Sequence, residues 1–337
     1  MNFTVREGEI FGLLGPNGAG KTTTIKIITT MIRPSAGNAM IAGVDVVQNP
    51  RAVRQMLGYV PQAISVDGDL TAAENLLIFS KLFYVSKKDR DARISSALEY
   101  MGLTERADDL VKHFSGGMMR RLEIAQALVN RPKILILDEP SIGLDPASKR
   151  AMWSYVKRLN RDFHTTVLIT THDMMEADEL CERVAIMNNG GIAVIGNPKE
   201  LERSVGGDII SVKLSSALLK QQPHQEKTSV ATTDGIDSPT ATVLLPLKDP
   251  SSKMIVISSE ENGTLLKIMV ENGEKAIPRL FEFFEAQGLG VESISLSKPT
   301  LDDVFMKYTN AKLSADEESR TFREARTARR NIARRSR

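Results

Sequence analysis

Cysteine is nearly absent: the 337-residue chain has one, Cys181. A lone thiol excludes an internal disulfide framework and fits a reducing compartment. Nothing beside Cys181 marks a reactive thiol, and it reads as a helix residue facing a core. Aromatics are also scarce, at 5% against an apolar fraction of 42%. Leu, Ile, Val and Met must therefore fill the interior. Charge of one sign is not in excess, and the net +2 says little about partners. Long apolar runs are missing too. None approaches the ~20 residues that span a bilayer, and residues 1–6 lack the apolar stretch of a signal peptide. The chain is expected in the cytosol. If it serves transport, another protein must cross the membrane.

What is present is enough apolar material for one large domain or two smaller ones. Residues 1–14 read as strand material, with a turn at Glu7-Gly8. A glycine-rich loop follows, and 21–32 reads as a helix stopped before Pro34. Residues 38–62 carry short strand-like runs, and 71–129 are mostly helical. Ile134-Leu135-Ile136-Leu137 and residues 166–171 are short continuous apolar runs of the kind buried on both faces of a sheet. Residues 184–195 read as a hairpin. Strands alternating with helices imply an α/β domain with a mainly parallel sheet over 1–205. Residues 206–252, rich in Ser, Thr, Pro and Gln, read as a linker or mobile loop. A small α/β module at 253–312 follows, then a basic tail at 313–337. No internal repeat is found.

Gly15-Pro16-Asn17-Gly18-Ala19-Gly20-Lys21-Thr22 fits G-x-x-x-x-G-K-[ST], followed by Thr23. It stands after a predicted strand and before a predicted helix, as a phosphate cradle requires. The glycines let backbone N–H groups close on phosphate oxygens, and the helix adds its positive end. Lys21 supplies a point charge for β and γ phosphates, and Thr22 a hydroxyl for Mg²⁺. The motif alone says "nucleotide phosphate" and does not separate kinases, GTPases and motors.

Asp138 and Glu139 end the apolar run at 134–137. In open α/β sheets that strand end is where ligands bind. Asp138 suits Mg²⁺ held through water, and Glu139 suits polarising an attacking water. His172 follows the second apolar strand and reaches the same edge if the strands are parallel. Read alone, it is an ordinary surface or core histidine more readily than a phosphate contact.

Six motifs in order give the chain a resemblance to the ATP-binding-cassette ATPases. Ser115-Gly116-Gly117 before a helix resembles the family signature. Gln62 resembles the Q-loop glutamine, Ser141 to Asp145 the D-loop, and His172 the switch histidine. The resemblance covers 1 to about 203. It implies a RecA-like P-loop core with a small antiparallel β lobe and an inserted helical subdomain at about 63–130. It implies ATP and Mg²⁺ as cofactors. The nucleotide would be held by residues 15–23, Gln62, Ser115, Gly116, Gly117 and Asp145, and the metal by Thr22, Gln62 and Asp138. Lys21, Glu139 and His172 would be catalytic. It further implies head-to-tail dimers in which each signature faces the other chain's cradle. An integral-membrane permease would be the partner, at the cytoplasmic face of the membrane.

Residues 299–305, with the module before them, resemble the ending of daunorubicin-resistance-type exporter ATPases. There are departures. Met118 stands where the signature usually has Gln. Family members also begin further upstream, with an edge strand and an adenine-stacking aromatic that nothing before Phe3 supplies, so a missing upstream segment is expected. The last eighteen residues hold eight Arg and one Glu. They read either as a solubilising end or as a contact for anionic lipid headgroups. Nucleic acid is not expected, since the tract lacks a run of interleaved aromatics. The competing reading is an ABC ATPase of translation or DNA repair, against which stand the single cassette and the absence of sustained heptads. A cassette that only binds nucleotide is disfavoured by the intact Lys21, Asp138, Glu139 and His172.

Overall fold

The computed structural model describes residues 1–214, 253–260, 263–270, 272–286 and 290–309. Two compact units divide between Leu201 and Glu202. The basic tail and 215–252 lie outside the described residues.

The first unit opens with β1 (Ile10–Leu14), the glycine loop and α1 (Lys21–Ile28). A short pair, β2 (Met40–Ile41) and β3 (Val44–Asp45), precedes α2 (Pro50–Met56) and β4 (Leu57–Val60). Then come α3 (Ala72–Leu82), α4 (Lys87–Tyr100) and α5 (Gly116–Leu128). The chain continues through β5 (Ile134–Asp138), α6 (Pro146–Phe163), β6 (Thr166–Thr171) and α7 (Met174–Leu180). It closes with the hairpin β7 (Arg183–Asn188) and β8 (Gly191–Gly196), and α8 (Pro198–Val205) crosses the boundary.

Six strands form one sheet in the order β4-β5-β6-β1-β7-β8, parallel except at the hairpin. Strands β1 and β6 are buried along their whole length, which is why their sequences are continuously apolar or Thr-rich rather than alternating. One face carries a core of Phe11, Leu13, Ile25, Val53, Ile136 and Leu168. Truncating any of these to Ala costs about 2–5 kcal/mol by loss of transfer energy plus the cavity left.

Helix starts are chemically marked. Thr71 and Glu74 form a reciprocal capping box at α3. Asp145 caps α6 ahead of Pro146, whose missing N–H costs nothing at that position. Two expectations need correction. Residues 3–5 are not a strand; Phe3 instead lays its ring on Phe11, 5.7 Å away and nearly parallel. Helix α1 stops at Ile28, short of residue 32. Thr29 turns its hydroxyl back to the Ile25 carbonyl at 2.7 Å, and Thr30 is left-handed at φ 64°. The Thr30 and Met31 N–H groups then close on Ile27 and Lys26 carbonyls, a Schellman ending.

In the second unit, β9 (Asp208–Leu214), β10 (Lys253–Glu260), β11 (Gly263–Val270) and β12 (Val291–Ser297) form an antiparallel sheet ordered β10-β11-β9-β12. Helix α9 (Gly273–Ala286) packs Leu280 and Phe284 on Ile210, Val212, Leu266 and Ile268. Helix α10 (Leu301–Thr309) follows. The linker expected from residue 206 is thus corrected at its start. Residues 208–214 are a central strand of this sheet, because Ile210, Val212 and Leu214 complete its apolar face.

Candidate active site

The site is set by register. Parallel pairing aligns Leu14 with Thr171 and Asp138 with Thr170. The residues that follow, Gly15, Glu139 and His172, therefore leave the sheet at one edge and one level. That is the carboxyl edge, where open α/β sheets bind ligands.

Gly15 must be glycine. A Cβ there would lie 2.4 Å from the Met187 carbonyl oxygen, so the loop crosses the end of β7 with no room for a side chain. Gly20, at φ 101°, caps α1 in a left-handed conformation that suits glycine. Between them Asn17 and Gly18 are exposed, and Thr22 and Thr23 are exposed on the first turn of α1.

Lys21 is 4% exposed. Its Nζ donates to the carbonyls of Gly15 at 2.7 Å and Pro16 at 3.2 Å, and lies 3.3 Å from Glu139 Oε1. The other carboxylate oxygen, Oε2, is 2.5 Å from His172 Nδ1. Glu139 thus bridges the cradle lysine and the histidine. Its backbone sits at φ 49°, a conformation costing a non-glycine residue on the order of 1–3 kcal/mol. The turn is held by Thr170, whose carbonyl and hydroxyl both accept from the Glu139 N–H, at 3.1 and 3.0 Å. The same hydroxyl donates to Asp138 Oδ1 at 2.5 Å. Asp138 is 1% exposed, and its charge adds to burial in pushing the Tyr59 phenol up.

The other expected residues stand elsewhere. Ser115 is the N-cap of α5, its hydroxyl accepting from Met118 N–H at 3.3 Å, and Ser115 and Gly116 are exposed. Gly117 packs on α6, where a Cβ would lie 2.7 Å from Ser148 Oγ. That hydroxyl donates to Asp145 Oδ2 at 2.5 Å, while Asp145 Oδ1 caps α6 through Ala147 and Ser148 N–H. The signature and D-loop segments are therefore packed together. Among the described residues no hydrogen bond joins Ser115, Gly116 or Gly117 to residues 15–23 of the same chain. Gln62 is exposed, and its carbonyl accepts from Arg120 Nη2 at 2.9 Å.

Three features escaped the sequence reading: Thr170 as the group that holds Glu139 and Asp138, the buried Arg120–Glu123 pair, and Glu176. Glu176 is fully buried behind the D-loop and accepts from the lone Trp153 at 2.9 Å. Burial pushes its carboxyl up, against hydrogen bonds from Thr171, Trp153 and Ser141. Only Thr170 had a signal, a polar residue recurring at the end of an otherwise apolar strand.

Comparison with known proteins covers both units. Residues 1–142 match the family described as ABC transporter, and 196–309 match the C-terminal domain of DrrA1-3-like ATP-binding proteins. The daunorubicin resistance ATP-binding protein DrrA2 of Streptomyces coeruleorubidus is 35% identical, over 92% of this chain and 89% of that one. The linearmycin resistance ATP-binding protein LnrL of Bacillus subtilis (strain 168) is 33% identical over 93% of both. Among solved structures, the dimeric post-hydrolysis state of the ATP-binding cassette MJ0796 with ADP and Pi superposes with a TM-score of 0.53. It is 28% identical over 58% of this chain and 88% of that one. These likenesses do not support the translation or repair reading. With the cradle, the acidic strand end and both units matched, the chain belongs to the ATP-hydrolysing subunits of ABC transporters, in the daunorubicin-resistance-type branch.

Proposed function

We propose that this chain powers export of a drug or other hydrophobic compound through a separate permease, from the cytoplasmic face of the membrane. The resistance functions in the relatives' names support the cargo class. Among the described residues no helix is long and apolar enough to cross a membrane, and the crossing path is assigned to the permease.

The observation that carries the chemistry is the chain Lys21–Glu139–His172 at the sheet edge. Phosphate oxygens of ATP replace the Gly15 and Pro16 carbonyls as acceptors for Lys21, and the loop N–H groups close around them. Glu139, held by Thr170 in its strained turn, polarises the attacking water. His172 orients Glu139 and contacts the γ-phosphate. The side chains that would hold the metal all offer oxygen: the Thr22 hydroxyl, the Asp138 carboxylate and the Gln62 amide oxygen. That set fits Mg²⁺, which keeps waters and phosphate oxygens for most of its shell. When bound, Mg²⁺ would supply positive charge to neutralise the reacting phosphate. Ser115, Gly116, Gly117 and Asp145 act in trans, on the nucleotide cradled by a second copy, which fits the exposure of Ser115, Gly116 and Asp145 at the surface.

The test is Glu139→Gln. It leaves Lys21 and the loop intact, so ATP binding persists, while phosphate release falls by about two to four orders of magnitude, the usual worth of a general base. Near-normal turnover removes the role given to Glu139.

A further inference from the structure

We propose that Arg120 and Glu123 are positioning residues that tie the Q-loop of one ATP site to the signature motif of the other. Both lie on α5, the helix whose first turn carries Gly116 and Gly117. Both are 2% exposed, and their side chains pair at 2.8 Å. Together they seize the Q-loop backbone. Arg120 Nη1 donates to the Pro61 carbonyl at 2.7 Å, and Nη2 donates to the Gln62 carbonyl at 2.9 Å. Glu123 Oε1 accepts from the Ser65 N–H at 2.6 Å and its hydroxyl at 2.9 Å. A second buried side chain extends the hold, since Asn75 on α3 bonds the backbone of Asp67 in both directions.

An exposed loop would not need two buried charges to fix it. Burying them costs several kcal/mol of desolvation unless every lone pair and proton is used. Burial pushes the Glu123 carboxyl up, and the Arg120 charge and Ser65 oppose it. What this arrangement provides is rigidity: residues 61–65 and α5 move as one piece. The consequence rests on the shared-site reading above. In a head-to-tail dimer, Gln62 serves the cradle of its own chain, whereas Ser115 and Gly117 serve the partner's. A Q-loop that shifts on binding ATP therefore carries α5 with it and repositions the signature at the opposite site. The clamp is the mechanical link between the two sites.

The measurement is steady-state hydrolysis by the full chain as a function of ATP concentration. The unaltered protein is expected to give a Hill coefficient between about 1 and 2, the ceiling being the number of sites. Arg120→Lys keeps the charge but loses the planar fork that reaches two carbonyls. It is expected to bring the coefficient to about 1, with single-chain ATP affinity little changed. Ser65→Ala touches only the exposed end of the clamp and guards against a folding failure. It is expected to lower the coefficient part of the way. A fold defect alone lowers the maximal rate and leaves the coefficient where it was. A coefficient of 1 in the unaltered protein, or an unchanged one in folded Arg120→Lys or Ser65→Ala, overturns the clamp. Rescue between complementary inactive chains tests the shared site separately. Rescue with an unchanged coefficient defeats the clamp alone, whereas failed rescue in confirmed mixed dimers defeats the reading beneath it.

Discussion

Lys21 is buried and touches three oxygens of its own chain, whereas Ser115, ninety-four positions later, is exposed and its hydroxyl serves only its own helix. Both stand at the start of a helix preceded by glycine-rich or polar chain. The phosphate cradle is complete within one chain: its lysine, carboxylates and histidine are mutually satisfied. The signature helix presents its positive end outward. It is braced from behind by Ser148 and Asp145, and among the described residues no hydrogen bond joins Ser115 to the cradle. The difference favours the proposal that the signature of one chain serves the cradle of a second copy.

The sharpest way to break this comparison is to damage each half in turn. Lys21→Ala removes the charged hydrogen bonds to phosphate. It is expected to weaken ATP binding to the single chain by about ten- to a hundredfold, the scale of a charged hydrogen bond. Ser115→Ala is expected to leave that single-chain affinity unchanged while lowering turnover. Equilibrium binding of ATP at low protein concentration distinguishes the two. Equal losses of affinity would mean that Ser115 reaches its own cradle.

A smaller effect sharpens the comparison from behind the D-loop. The Glu176 carboxyl is raised above its ordinary value of 4.5 by burial, so the folded state holds its proton more tightly than the unfolded chain. The stability this group contributes is full below pH 4.5 and is lost as pH rises through the raised folded value. Glu176→Gln removes the titration and keeps the Trp153 hydrogen bond. Its stability is expected to fall less than that of the unaltered protein over that rise. Urea unfolding followed by emission of the single tryptophan reads the difference. Parallel pH slopes would mean that Glu176 does not titrate differently on folding.

Much of the site was legible because its chemistry constrains residue type. Gly15 has no room for a Cβ, Lys21 must follow Gly20 to begin α1, and Asp138-Glu139 must end a strand that is otherwise apolar. Spacing and residue type therefore carried the phosphate cradle. The Arg120–Glu123 pair was not legible, since Arg and Glu three apart on a helix read as a solvated pair and nothing in sequence reports burial. Strand β9 was missed for a related reason. Its seven residues are short, flanked by Gly206-Gly207, and their partners in β11 and β12 lie some fifty to ninety positions onward. The end of α1 was misplaced because Thr at a left-handed closing position is uncommon, and the hydroxyl of Thr29 that stops the helix leaves no pattern.

The most direct test of the account mixes two inactive chains, Lys21→Ala and Ser115→Arg. In a mixed dimer one composite site collects both defects. The other joins the intact cradle of one chain to the intact signature of the other. With random pairing about half the dimers are mixed, each with one good site of two, so hydrolysis is expected to return to about a quarter of normal. Crosslinking confirms that ATP-dependent mixed dimers have formed. Recovery near a quarter is the result the shared site predicts, and confirmed mixed dimers that neither hydrolyse ATP nor trap nucleotide in the intact site would contradict it.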